Sequence, residues 1–172
     1  EAETGQQTGF NPCGFIELAA DDDRLEEYRR ITAFNRLQGN DIQEISPSEI
    51  KNLFPFAEVD SIKAGFYAEN DGRINPVDVT MALAKGARMK GAKLIQRTPV
   101  QKVLTTGDAI SGVRTDHGDI RCEFVVNCAG MWARQLGEQN GIAIPNQAAE
   151  HYYLITEPID GVTANLPVLE DP

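Results

Sequence analysis

The stretch "FVVNCAGMWARQL", residues 124–136, constrains the fold more than any other part of the chain. Three apolar residues are followed by Asn-Cys-Ala-Gly, and a helical pattern with the only tryptophan of the sequence begins at once. An apolar strand without alternation indicates burial on both faces, as in a sheet with a neighbour on each side. A buried strand joined directly to a helix is typical of α/β proteins. We therefore predict an α/β fold with a buried strand at residues 124–126.

The turn after this predicted strand contains almost no side chain, because it consists of Ala129 and Gly130. Such a turn lets a flat or anionic ligand approach main-chain amides and the positive end of a helix dipole. Ligands of open α/β sheets lie beyond the carboxyl ends of the strands, where this turn would be. Small residues also permit tight packing of strand against helix, without any ligand. The spacing alone leaves both interpretations open.

Three helices are predicted from capping signals. Three aspartates precede a helical pattern that ends at Gly39, and they suit the helix start better than a calcium loop, whose ligand spacing is missing. Ser46-Pro47-Ser48-Glu49 has capping-box spacing with proline at the first helical position. Asn75 and Pro76 begin the third helix, and Gly91 ends it. Its small residues predict that a face containing Val79, Leu83 and Ala87 packs closely on a sheet.

Strands are predicted around these helices from apolar runs bounded by turn residues. They comprise residues 14–20, a strand from Lys63, residues 92–96, a meander of three or four short strands within 98–126, and a long strand at 148–159. His117 lies in an Asp-His-Gly turn of the meander, where a solvated hairpin residue is the simpler interpretation.

Charge and composition exclude several classes of function. The 172 residues carry a net charge of −10, from 16 basic and 26 acidic side chains, so no basic surface for nucleic acid is expected. No apolar run approaches the roughly 20 residues that a membrane span requires. The start at Glu1, without a signal-peptide pattern, favours a piece of a longer protein, with proteolytic maturation as the alternative.

The chain shows no metal site and no catalytic motif of its own. Cys13, Cys122 and Cys128 are odd in number and form no Cys-x-x-Cys pair, which argues against disulfides and zinc. Cys128 is interpreted as a small core residue rather than a nucleophile. The dinucleotide, P-loop and nucleophile-elbow patterns are all absent from the sequence.

A series of motifs resembles one family in content and order. The stretches "FYAENDGRINPVDVTMALAKGARMKGAKL", "TPVQKV", "FVVNCAGMWARQLGEQNGI" and "HYYLITEPI" resemble the D-amino-acid-oxidase superfamily of flavoproteins. The nearest branch is that of the dimethylglycine and sarcosine dehydrogenases. The resemblance extends over nearly the whole chain, from "TGFNPCGFIELA" to "LPVLEDP".

The resemblance implies an FAD-dependent oxidoreductase that oxidises an N-methyl amine such as dimethylglycine or sarcosine by hydride transfer to flavin. It implies a two-lobed enzyme whose Rossmann motif lies upstream, so this chain would be a fragment that is inactive alone. Residues 1–75 would begin the substrate-binding lobe, 76–142 would belong to the FAD-binding domain, and 143–172 would return to the substrate lobe. A tetrahydrofolate region downstream would connect the reaction to one-carbon metabolism.

The resemblance also assigns residues. The backbone of Val100 would meet the adenine end of FAD, Ala129 and Gly130 would form the small-residue turn near the cofactor, and Trp132 would lie at the FAD site. His151 would be the catalytic residue that orients the amine or accepts a proton, with a satisfied core histidine as the alternative.

Some consequences of the resemblance remain open. Asn75 replaces an aspartate of the family, Tyr152 replaces a glutamine next to His151, and Tyr153 is assigned to packing.

An electron-transfer flavoprotein is a candidate partner, and the compartment would be the bacterial cytoplasm or the mitochondrial matrix. A non-catalytic regulatory relative that keeps the fold is the main alternative, and a flavin-free α/β interaction domain is the third.

Overall fold

The structure is a computed structural model that describes residues 1–171; Pro172, the end of the predicted 143–172 segment, lies outside them. The described residues form two sheets and four α-helices, which confirms the predicted mixture of helix and strand. The chain divides into two compact units. Unit 1 comprises Glu1–Ala92 and the described residues 156–171, and unit 2 comprises Lys93–Ile155.

Unit 1 is built on a four-stranded sheet. Its strands are β1 (Phe15–Ala19), β2 (Gln43–Ile45), β3 (Ala64–Ala68) and, last of the seven strands in the chain, β7 (Val168–Glu170). They lie in the order β2-β3-β1-β7. Antiparallel pairs join β1 to β3 and β3 to β2, whereas β7 runs parallel to β1, with Phe15 beside Val168.

The helices of unit 1 begin where the sequence predicts, because each start has a side-chain cap. The helices are α1 (Asp22–Leu37), α2 (Pro47–Leu53) and α3 (Pro76–Met89). Asp21 accepts the N–H of Arg24, and Asn75 accepts two amides at the start of α3. Ser46 and Glu49 form the predicted capping box.

The core of unit 1 lies on both faces of this sheet, since side chains alternate along each strand. One cluster joins β1 and β2 to α2 and consists of Ile16, Leu18, Ile45, Ile50 and Ala57. The second joins β1 and β3 to α1 and consists of Ala19, Tyr28, Ala64 and Phe66. The rings of Tyr28 and Phe66 meet edge to face with centroids 5.4 Å apart.

The predicted packing face of α3 is wrong at Leu83, whereas Val79 and Ala87 of the same face are half-buried. Ala82 is the buried residue of this helix, whereas Leu83 is 71% exposed. The N-terminal segment lies beside the helix, since a Cβ atom on Gly86 would stand 3.2 Å from the side chain of Thr4. The small residue Gly86 therefore accommodates the N-terminal segment.

Unit 2 contains the predicted meander as the antiparallel sheet β4-β5-β6. Its strands are β4 (Val100–Thr106), β5 (Ala109–Thr115) and β6 (Gly118–Arg121). A 3₁₀ turn, Gly130–Trp132, leads directly into the short helix α4 (Ala133–Glu138). The turn-to-helix junction of the opening stretch is thus present in the fold.

Three predicted strands of the chain are wrong, namely those at residues 92–96, 124–126 and 148–159. Phe124 is 83% exposed and Val126 is 82% exposed, so the expected burial of this run is also wrong. A buried strand needs neighbours that bond its amides and cover its side chains. Neither sheet formed by residues 1–171 includes these three segments, and they therefore remain irregular.

No helix in the described part of the chain is both long enough and apolar enough to cross a membrane.

Candidate functional site

A cavity of about 490 Å³ in unit 2 lies beside the Ala-Gly turn. Val100, Ala129 and Trp132 all line it. Val100 is the first residue of β4, and Trp132 closes the 3₁₀ turn that begins one residue after Ala129. The structure therefore brings together three of the four residues predicted to contact the cofactor, and the fourth, Gly130, adjoins the cavity through its peptide bond to Ala129.

The turn has a backbone conformation that requires glycine. Ala129 has φ −79° and ψ 12°, and Gly130 follows with φ +55°, which is left-handed. A Cβ atom at Gly130 would meet no atom within 4 Å. The glycine is consequently needed for its positive φ rather than for lack of space, and the surface beside it is open to a ligand.

This conformation leaves two neighbouring amides available. Trp132 donates its N–H to the carbonyl of Ala129 at 3.0 Å, and Ala133 donates to the carbonyl of Gly130. The N–H groups of Gly130 and Met131 have no acceptor within residues 1–171. Successive amides in a right-handed then left-handed turn form a concave nest that binds anionic or carbonyl oxygen. Because α4 has only six residues, we assign ligand attraction to this nest rather than to a helix dipole.

The walls of the cavity are mainly apolar and are accessible. Trp132 is 62% exposed, and Val100 is partly exposed. Cys128 also lines the cavity and is exposed, so its predicted place in a core is wrong. The volume lies within the roughly 300–1,000 Å³ of small-molecule sites. Apolar walls beside two free amides fit part of a FAD molecule, which combines flat rings with polar oxygens.

His151 does not line this cavity. It is exposed, in a segment of unit 2 without helix or strand. Tyr152 donates a hydrogen bond to the carboxylate of Glu150, and this bond raises the pKa of the Tyr152 hydroxyl. Tyr153 is exposed as well, so its predicted packing role is not seen in this chain.

Several residues at the cavity were missed by the sequence interpretation. Gln135 and Gln139 line it from α4 and the residue that follows the helix. With Trp132 they lie three and seven positions apart, a helical spacing that could have indicated a shared face. Asn127 also lines the cavity, and an asparagine two residues before a turn is a known signal for a side-chain-stabilised turn.

Within residues 1–171 no group of three or more His, Cys, Asp or Glu side chains is arranged to hold a metal ion.

Comparison with known proteins identifies the family of the chain. The sequence profile of the DAO family, described as FAD dependent oxidoreductase, matches residues 1–172. The chain belongs to this family. FAD is accordingly the cofactor of the family to which the chain belongs.

Within the family, the chain is similar to amine dehydrogenases. It is 35% identical to the mitochondrial sarcosine dehydrogenase of Homo sapiens, over 99% of this chain and 19% of that protein. It is 38% identical to the mitochondrial dimethylglycine dehydrogenase of Rattus norvegicus, over 99% and 20%. It is also 38% identical to the mitochondrial pyruvate dehydrogenase phosphatase regulatory subunit of Mus musculus, over 99% and 20%. The chain thus spans about a fifth of the length of these relatives.

A solved structure shows the same fold. The L-proline dehydrogenase from P. horikoshii superimposes with a TM-score of 0.75 and 26% identity, over 99% of this chain and 45% of that chain. The chain is therefore similar to slightly less than half of that dehydrogenase.

Proposed function

We propose that the full-length protein uses FAD to oxidise an N-methyl amine such as dimethylglycine or sarcosine. The observation that carries this proposal is the similarity of 99% of the chain to sarcosine and dimethylglycine dehydrogenases. The cavity supports it, because it is lined by Val100, Ala129 and Trp132, although Val100 and Trp132 are 32 positions apart in the sequence.

Bound FAD supplies the two-electron acceptor that takes a hydride from the N-methyl carbon. The residues of this chain would bind and orient it. The backbone of Val100 would hold the adenine end, the amides of Gly130 and Met131 would donate to a polar oxygen, and Trp132 would cover an apolar surface.

We propose that His151 serves the amine substrate. Oxidation of an amine requires a neutral nitrogen with a free lone pair, so a nearby imidazole can accept the ammonium proton or hold the nitrogen in place. Loss of hydride leaves an iminium, and water hydrolyses its carbon–nitrogen bond to give formaldehyde and the demethylated amine. Tetrahydrofolate could instead take up the methylene carbon, with release of the same amine. Tyr152 lies next to His151 and is a candidate for selecting among amines.

The remaining proposals concern the whole protein. Residues 1–75 and 143–172 belong to the substrate lobe and 76–142 to the FAD-binding domain, although α3 groups with unit 1 in this structure. An electron-transfer flavoprotein is the proposed acceptor of electrons, and a folate region follows in the longer protein. The compartment is the bacterial cytoplasm or the mitochondrial matrix.

A second candidate function is regulatory. The 38% identity to the pyruvate dehydrogenase phosphatase regulatory subunit equals that to the dimethylglycine dehydrogenase. A protein of this type could keep the fold, and even the cavity, without oxidising an amine.

Anaerobic reduction of the purified full-length protein separates these candidates. We expect a yellow flavoprotein whose visible absorbance bleaches with sarcosine or dimethylglycine and persists with glycine, which lacks the N-methyl group. A flavoprotein that no N-methyl amine bleaches would favour the regulatory function. A protein purified natively without flavin absorbance would contradict the proposal.

A further inference from the structure

The side chain of Asn127 bonds to both ends of the turn that adjoins the cavity. Its Oδ1 atom accepts the N–H of Ala129 at 3.2 Å, and its Nδ2 atom donates to the carbonyl of Ala133 at 3.0 Å. One amide side chain thereby connects the residue before the left-handed glycine to the first residue of α4.

Asn146, which follows the end of α4 in the chain, also bonds to the turn. Its Nδ2 atom donates to the carbonyl of Gly130 at 2.9 Å. The same carbonyl accepts the N–H of Ala133, so the peptide between Gly130 and Met131 is held at its oxygen by two donors. Fixing that oxygen also fixes the N–H of Met131, because the peptide group is planar.

Together these bonds determine which amides of the turn remain available. The carboxamide of Asn127 occupies the N–H of Ala129, the first of the three amides that a nest presents. The other two, those of Gly130 and Met131, are the ones without an acceptor within the described residues. A glycine has broad freedom in φ and ψ, so neighbouring groups must fix the direction in which the N–H groups of Gly130 and Met131 point.

We propose that Asn127, assisted by Asn146, is a positioning residue that directs the amides of Gly130 and Met131 toward the flavin cofactor. This inference rests on the proposed function, in which FAD lies against the turn. Asn127 acts through the backbone: without its two bonds the glycine turn samples other conformations, and FAD must then order it on binding.

Asn140 provides a matched control for this inference. It also uses both ends of its carboxamide on the backbone of unit 2, accepting from Val103 at 3.0 Å and donating to Leu136 at 2.7 Å. Like Asn127 it is partly buried. It bonds to no residue of the turn and does not line the 490 Å³ cavity, although its partner Leu136 does. Replacing it should therefore reproduce the structural cost of losing two hydrogen bonds without altering the nest.

The test compares Asn127→Ala, Asn127→Ser and Asn140→Ala in the full-length protein. The dissociation constant for FAD is measured on deflavinated protein, and the visible spectrum is recorded for the bound flavin. Asn127→Ala should raise the dissociation constant about ten-fold and shift the flavin bands. Asn140→Ala should lower Tm about as much as Asn127→Ala does. Its dissociation constant for FAD should stay within roughly two-fold of that of the original protein, and its flavin bands should not shift. Asn127→Ser retains a hydroxyl acceptor for Ala129 and should give an intermediate result.

If Asn127→Ala does not fold, Asn146→Ala replaces it, with a smaller change of the same sign. Equal flavin affinities and spectra for the Asn127 and Asn140 variants would overturn the positioning role while leaving the proposed function intact. Unaltered protein that holds no flavin would overturn both.

Discussion

Units 1 and 2 differ in how much apolar surface each buries with its own residues. All ten buried apolar residues in the range 1–171 lie in unit 1, nine of them in the two clusters on its sheet and one, Ala82, in α3. Unit 2 has a complete three-stranded meander, but its apolar residues at positions 124, 126 and 132 are exposed. The unit that contains the candidate flavin site is therefore the one without a core of its own.

The two units therefore differ in what covers their apolar side chains. Burial of apolar side chains is the dominant favourable contribution to folding, and unit 1 obtains it from its own strands and helices. Unit 2 contains none of these buried side chains, so its exposed apolar residues are not covered by its own strands and helix. Since the chain spans about a fifth of its relatives, we propose that FAD and further strands of the full-length protein provide this cover.

The largest effect should separate the two units directly. Ile50 has 0% exposure in the core of unit 1, whereas Val126 of unit 2 is 82% exposed. In residues 1–172, Ile50→Ala should lower the free energy of unfolding by about 2–5 kcal/mol, and Val126→Ala by less than about 0.5 kcal/mol. Urea denaturation measures both. Equal losses would mean that unit 2 buries its own core, and the comparison would be wrong.

His151→Ala should have the next largest effect, on turnover. An imidazole that accepts a proton from the amine contributes on the order of 100-fold, so kcat/KM for the amine should fall by roughly 10–100-fold in the full-length protein. The flavin content should stay unchanged, because His151 does not line the cavity. His117→Ala is the control, since His117 lies in a hairpin turn of the same unit. Unchanged kinetics in His151→Ala would remove this residue from the site.

The left-handed glycine of the turn should show a site-specific effect. Gly130 and Gly141 both have positive φ, +55° and +72°, and open space where a Cβ would stand. Replacement by alanine should cost each about 1–2 kcal/mol of stability. Only Gly130→Ala should also weaken FAD binding, by about ten-fold, because Gly141 does not adjoin the 490 Å³ cavity. Similar flavin affinity in both variants would argue against the turn as a cofactor contact.

The smallest effects concern two carboxylates of unit 1 with opposite pKa shifts. Burial, and then the charge of Glu170, raises the pKa of Glu17, so its charged form destabilises the fold above its unfolded pKa. The hydrogen bond from Arg29 lowers the pKa of Glu44, so its contribution is present at neutral pH and lost as pH falls through its folded value. Glu17→Gln should slightly raise Tm at pH 7, and Glu44→Gln should lower stability by less than about 1 kcal/mol.

Both differences should fade as the pH falls toward 3, where the carboxylates become protonated. Calorimetry at pH 7 and at pH 3 tests the signs. A loss of stability in Glu17→Gln at pH 7 would contradict the burial argument.

Elements with local signals could be predicted from the sequence, and those that depend on distant partners could not. The capping box at Ser46, the cap at Asn75 and the hairpins of the meander all depend on neighbouring residues, and the structure confirms them. The run at Phe124 has the composition of a buried strand, but a strand forms only beside another one. The same lack of a partner explains the wrong strand at residues 148–159.

The candidate site was predictable in part for the same reason. The small residues of the turn indicated open backbone, and the resemblance to flavoproteins supplied Val100 and Trp132, which the fold brings to one cavity. Periodicity could not reveal that Asn127 bonds to both ends of the turn, since those bonds depend on the conformation of Gly130.

The reactivity of Cys128 tests most directly whether flavin covers the turn in unit 2. Cys128 is exposed and lines the cavity, whereas Cys13 lies in unit 1 and is half-buried. Alkylation of the full-length protein with iodoacetamide, followed by peptide mass mapping, measures both thiols with and without FAD. We predict that FAD slows modification of Cys128 at least about ten-fold and leaves Cys13 unchanged. Equal rates at Cys128 in the flavin-bound and flavin-free protein would contradict the account.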